Sequence, residues 1–281
     1  MPTKAVAPPA CHDRLVSKKY RGKDCTYCGR PKASAGSDHV IAREFFLRAD
    51  RASLPQVPSC ARCNREKSVL EHYLTVLLPF GGRHRTAYQN LASQVPARLG
   101  KNARLHRGLQ GGQGRVWAEH GEGLAVPMMT LPIDPQRLLD LFAMIARGLV
   151  WYHWQVRLTI DDSVVPCALT PAGEERFDRL FSLNVAAHVE RDLGNGTFQY
   201  EGAQDVDEHR VTIWRFRPYG GVWFGDPSAP GVVARRIGVL TGPGRRSAVD
   251  RSERCDEGPA AFDAPTGQEA SPSKLQAGSI G

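Results

Sequence analysis

Two Cys-x-x-Cys pairs, Cys25/Cys28 and Cys60/Cys63, with 31 residues between them, constrain this chain more than any other feature. In a reducing compartment such pairs ligate metal rather than form disulfides. Four thiolates at this spacing make one tetrahedral Zn2+ site. Gly29 follows the first pair, where a tight knuckle turn asks for left-handed backbone. The second pair runs directly into a helix-competent stretch, Asn64 to Leu78. The pattern predicts a knuckle, an intervening hairpin, and a second knuckle that opens a helix. Zinc would then replace part of the core that a module of ~60 residues cannot build. Cys11, Cys167 and Cys255 are isolated. Cys11, with His12 beside it, is read as part of a flexible arm.

The choice of metal over disulfide rests on compartment. The first ten residues are broken by proline and hold no apolar core, unlike a secretory signal. The longest apolar stretch, Leu74 to Phe80, is too short to span a bilayer. The expectation is an intracellular, cytoplasmic protein with no membrane partner.

Charge is uneven along the chain. The formal net charge is +8 over 281 residues. Residues 1–125 hold 21 Lys and Arg against 9 Asp and Glu, a net of +12, while residues 126–281 hold 16 against 20, a net of −4. The first part is therefore where a polyanion would bind, with DNA the expected partner and RNA left open.

The cysteine stretch also carries reactive polar groups. Asp38-His39 lies between the knuckles, ahead of the apolar pair Val40-Ile41, and Asn64 directly follows the last cysteine. Phosphodiester hydrolysis needs a base for water and a hard cation for the phosphate and leaving oxygen. An imidazole suits the first task near neutral pH. A carboxylate and an amide oxygen suit Mg2+ or Mn2+. Lys67 shares a helix face with Asn64 and is a candidate phosphate contact, as are Arg43, Arg62 and Arg65. Glu71 is read as a helix-surface charge.

These residues resemble the zinc-containing, four-cysteine branch of the HNH endonucleases, which have a ββα-metal fold. The likeness covers about residues 21–75. It implies that His39 is the general base, that Asp38 and Asn64 hold a catalytic divalent metal, and that the four cysteines hold structural zinc away from the reaction. It further implies products with 5′-phosphate and 3′-hydroxyl ends. The chain departs from the family at two places. Pro55 stands where a middle Asn is common, and Phe45-Phe46-Leu47-Arg48 replaces a Gly-Gly after the His-bearing strand. The rival reading is a zinc module that binds nucleic acid or a protein without cutting.

The whole chain reads as α+β. Residues 1–20 form a basic arm, 21–80 the zinc module, and 81–116 a basic linker or DNA-contacting segment. Residues 117–241 form a separate α+β domain of unassigned role, and 242–281 a disordered tail rich in Gly, Pro, Ser and Ala. Alternation around Gly121-Glu122-Gly123 predicts a hairpin over residues 115–132. Asp134-Pro135 predicts a helix start, with a core helix over Leu138 to Leu158. Thr170-Pro171 predicts a second helix, running to about Asp192. Thr197 to Tyr200, Arg210 to Phe216, Val222 to Phe224 and Val232 to Leu240 read as strands.

Overall fold

The computed structural model describes residues 18–119, 125–183, 187–225 and 234–244. The expected knuckle-hairpin-knuckle-helix order is present. β1 (Gly36–His39) pairs antiparallel with β2 (Gln56–Ser59), and α1 (Ala61–Gly81) follows at once. Cys60 caps α1, its Sγ accepting from the Cys63 backbone N–H. α2 (Arg85–Lys101) and α3 (Ala103–Gly112) then occupy the segment read as a basic linker. His84 and Asn102 cap them through side-chain acceptors.

β3 (Gly114–Glu119) and β4 (Ala125–Thr130) form the predicted hairpin. Its tip, residues 120–124, lies outside the described residues. α4 (Pro135–Trp154) starts where predicted, with Asp134 accepting from the Gln136 and Arg137 N–H groups and Pro135 in the first turn.

The rest is a five-stranded antiparallel sheet of order β5-β9-β8-β7-β6. Its strands are β5 (Ser163–Leu169), β6 (His188–Leu193), β7 (Phe198–Gln204), β8 (Thr212–Pro218) and β9 (Arg236–Gly242), with α5 (Pro171–Leu183) between β5 and β6. Period-2 alternation divides the two faces. Trp214 and Phe216 of β8, with Ile237 and Val239 of β9, pack with Phe142 and Ile145 of α4. Ile213, on the opposite face of β8, packs with Phe177 and Phe181 of α5. The sheet is thus covered by one helix on each face.

Two sequence expectations need correction, and one strand lay in a segment left unassigned. The second helix ends at Leu183, not near Asp192, and His188–Leu193 is strand β6. Among the described residues it pairs only with β7, so register with β7 decides its state rather than its own polar side chains. β5, which carries Pro166, was not expected as a strand. Proline is tolerated there because β5 is the other edge of the sheet. Val222–Phe224 contributes a single bridge, Phe224 to Ala234, rather than a strand.

The hydrophobic core does not stop at the boundaries drawn from sequence at residues 80 and 117. One cluster runs from Cys25, Val40 and Phe46 through Leu141 and Ile145 to Trp214 and Val239. At the junction a Cβ on Gly148 of α4 would lie 2.7 Å from a Val40 methyl carbon, so α4 approaches the end of β1 closely. The Phe45-Phe46 pair, which stands where glycines were expected, is fully buried. Phe45 packs on Phe198 and Tyr219, and its carbonyl accepts from the Asn90 amide and the Tyr219 hydroxyl, both at 3.0 Å. The loop after β1 is an anchor into the sheet. Of the proposed arm (residues 1–20), Lys18–Tyr20 is a short 3-10 helix with Tyr20 buried, because its ring packs edge-on against Trp151; residues 1–17 and the tail beyond Gly244 lie outside the described residues.

Candidate metal centre and the polar cluster beside it

The Sγ atoms of Cys25, Cys28, Cys60 and Cys63 all lie within 4.8 Å of one another. A tetrahedral site with metal–sulfur bonds of about 2.3 Å has sulfur–sulfur edges of about 3.8 Å, and the Cys28–Cys60 pair stands at 4.0 Å. The donor set and spacing therefore fit Zn2+. Backbone geometry holds the set in place. Gly29 takes φ +69° and donates to the Cys25 carbonyl at 2.9 Å, which turns the first knuckle. Thr26 N–H donates to Pro58 O at 3.0 Å and ties that knuckle to β2. The second knuckle sits at the N-terminus of α1, where the helix dipole favours thiolate. A hydrogen bond from Cys63, helped by the Cys60 N–H, holds the Cys25 thiol down to about 4. Cys63, as the proton holder of that pair, is pushed far up.

Asp38 and His39 end β1, opposite Val57 and Gln56 of β2. Here the expected loop-pinning Asn is absent, and backbone takes over. Val40 N–H donates to Pro55 O at 2.9 Å. Gln56 adds a side-chain contact, its amide nitrogen 3.2 Å from His39 Nε2. This leaves Nδ1 of His39 as the nitrogen not engaged by Gln56. Burial, with Arg43 adding to it, lowers the His39 pKa below the ordinary imidazole value, so the ring is neutral at pH 7.

Lys67 was expected as a phosphate contact. Its side chain is instead fully buried. Its ammonium donates to His39 O at 2.7 Å, lies 3.1 Å from Asp38 Oδ2 and also holds Glu71. Glu71, read as a surface charge, is thus part of the cluster, and burial raises its pKa to about 7 against the pull of Lys67. Tyr27, inside the first knuckle, donates from its hydroxyl to Asp38 Oδ2 at 2.6 Å. An ammonium between two carboxylates satisfies charges that could not otherwise be buried.

Asn64 lies on the exposed first turn of α1, and its side chain makes no hydrogen bond among the described residues. Asp38, His39, Lys67 and Glu71 are brought together, and Asn64 stands one turn from Lys67 on the same helix. Arg43, Arg62 and Arg65 are exposed, and Arg62 is 3.7 Å from Glu66. Sequence reasoning missed Tyr27 and underrated Gln56. The signal for Gln56 was its register opposite His39, which needs the strand pairing. A phenol between two zinc-knuckle cysteines carries no such signal.

Among the described residues, no helix is long and apolar enough to cross a membrane. Comparison with known proteins found no matching family model, no matching curated protein and no matching solved structure.

Proposed function

We propose that this protein is a metal-dependent endonuclease of the zinc-containing HNH type, hydrolysing DNA phosphodiester bonds with His39 as general base. One observation carries the reading. A neutral, half-buried imidazole ends a strand beside a carboxylate, and a four-thiolate knuckle sets that strand against a helix.

In this scheme the Gln56 amide presents its oxygen to the Nε2–H of the neutral His39 ring, so the Nδ1 lone pair takes a proton from water, and the resulting hydroxide oxygen forms the new bond to phosphorus. The bond from phosphorus to the 3′-oxygen breaks, and that oxygen leaves as a hydroxyl after protonation by solvent. Gln56 fixes the ring orientation, and Lys67 and Tyr27 fix Asp38. Both of those donors use Oδ2 of Asp38, so Oδ1 and the amide oxygen of Asn64 are the donors left for a divalent ion. Such an ion, Mg2+ or Mn2+, supplies charge stabilisation at the phosphate and leaving oxygen. Arg43, Arg62 and Arg65 supply phosphate contacts.

Plasmid cleavage with added Mg2+ tests this. Loss of a general base lowers rate by roughly 10²–10⁴-fold, so His39→Ala should lose cleavage by that factor while its zinc content stays at the wild-type value. Equal cutting by the two proteins would refute it.

A second reading has its own support. The Lys67 ammonium already sits against Asp38 and Glu71, as a cation built into the chain. That favours a zinc module that binds nucleic acid or a protein without hydrolysis. It predicts salt-sensitive DNA binding and no metal-dependent cleavage, and cleavage lost in Asp38→Asn would exclude it.

A further inference from the structure

Three arginines without a carboxylate partner among the described residues meet in one cleft, on the face of the sheet that carries α5. The cleft has a volume of about 360 Å3 and is lined by Arg83, Arg217, Arg235 and Arg236 around the Gly220-Gly221 turn, with Glu174 and Asp178. Both carboxylates are already committed. Arg215 stands 3.0 Å from Glu174 and 2.6 Å from Asp178, and Arg236 reaches Glu174 at 3.3 Å. Arg83, Arg217 and Arg235 are left with uncompensated charge among the described residues.

The backbone brings the segments that carry these arginines to one turn. Arg83 N–H donates to Tyr219 O at 2.8 Å. Tyr219, Gly220 and Gly221 take φ of 49°, 72° and 100° in succession. A Cβ at Gly221 would lie 3.7 Å from Arg217 Nε and 3.8 Å from Arg235 Cβ. The guanidinium carbons of Arg83 and Arg235 stand 4.6 and 4.9 Å from the centroid of the Trp223 ring. Cation–π stacking on Trp223 orients Arg83 and Arg235, and all three arginines are exposed, so their guanidinium groups stand open to an anion from solvent.

We propose that this cleft is a phosphate-binding site, separate from the cysteine cluster, that takes the phosphates of a nucleic-acid backbone or of a free phosphate ester. Guanidinium forks match phosphate oxygens in pairs. The Trp223 ring is already covered by arginine, so the cleft reads charge rather than a stacked base. Gly81 is fourteen positions along α1 from Lys67, about 21 Å at 1.5 Å per residue, which sets the cleft apart from His39. The inference deepens the nucleic-acid reading of the partner and does not depend on cleavage.

The test uses zinc-loaded full-length protein without added Mg2+ or Mn2+. Fluorescence anisotropy with a labelled duplex of roughly 20 base pairs is measured over a salt series, and titration calorimetry follows inorganic pyrophosphate. The variant is Arg217→Gln/Arg235→Gln. The control, Arg176→Gln/Arg179→Gln, removes two exposed charges elsewhere on α5. Thermal melting and zinc content verify folding of both.

The expected result is DNA binding about 10-fold weaker, with a salt slope shallower by about 2. Loss in the DNA arm assigns the backbone as ligand. Loss only in the pyrophosphate arm assigns a free phosphate ester. Unchanged binding in both arms, or an equal loss in the control, overturns the proposal. Cleft-dependent DNA binding by a protein that never cuts would refute the nuclease reading and leave this one standing.

Discussion

The cysteine-bearing part of the molecule and the five-stranded sheet both bury a multiply paired cation, in different surroundings. Lys67 is fully buried among Asp38, Glu71 and the His39 carbonyl, next to four thiols. Arg215 lies on the α5 face of the sheet with Glu174, Glu201 and the largely exposed Asp178. The hydrophobic stabilisation of the sheet comes from its other face, where Trp214 stacks on Phe216 and meets Trp154 at 5.0 Å. Arg215 can therefore be rehydrated without opening the core, whereas Lys67 cannot. The lesson is that polar groups are spent on geometry in one region and on surface cross-linking in the other.

The four-cysteine cluster carries the largest expected effect. Cys60→Ala should leave the protein without bound zinc by metal analysis. A structural zinc site contributes on the order of 10 kcal/mol, so the thermal transition should collapse as well. Stoichiometric zinc in that variant would break the four-thiolate assignment.

Comparison of the two cations comes next. Lys67→Met leaves Asp38 and Glu71 buried without a counter-charge, which costs about 3–5 kcal/mol. Arg215→Met should cost only about 1 kcal/mol, because its partners reach water. Equal losses in denaturant unfolding would mean that burial does not separate the two sites.

His153 supplies a pH test of the sheet side. It packs 6.0 Å from Trp214 and meets the Tyr200 hydroxyl at 3.0 Å. Burial, with Arg191 adding to it, lowers its pKa to about 4. A histidine depressed from about 6.5 is neutral in the folded state while the unfolded chain takes up a proton. Stability is therefore fully present above pH 6.5 and is lost as pH falls from there towards 4, by about 1–2 kcal/mol once solvent screening of this half-buried ring is included. The difference in unfolding free energy between wild type and His153→Gln should shrink over that window. A pH-independent difference would remove His153 from the account.

The smallest expected effect is at Gln56. If its amide orients His39, Gln56→Leu should lower kcat for DNA cleavage by about 5-fold, near 1 kcal/mol of one hydrogen bond, with KM and zinc content unchanged. A matching rise in KM would point to substrate contact instead.

The sequence was most readable where chemistry forces spacing. Two Cys-x-x-Cys pairs, Gly29 and the helix after Cys63 led directly to the knuckles and α1. Asp134-Pro135 led to the start of α4, and the Gly-rich break near 121 to the β3–β4 pairing. Legibility failed where partners distant in sequence decide. The strand state of His188–Leu193 depends on β7, and that of Ser163–Leu169 on β9. Lys67 looked like a phosphate contact because its helix position was readable and its burial was not.

Sequence alone pointed to the four-cysteine cluster and to Asp38-His39 between its two halves, because Cys-x-x-Cys spacing and strand-turn chemistry are local. Tertiary structure decided that Lys67 and Tyr27 hold Asp38, that Phe45 and Phe46 fasten the loop to the sheet, and that Arg83, Arg217 and Arg235 share one cleft. Each of those outcomes rests on burial or on charge gathered from segments far apart in the chain, and the free energy of burying or crowding a charge is a property of the packed interior and surface rather than of any local stretch.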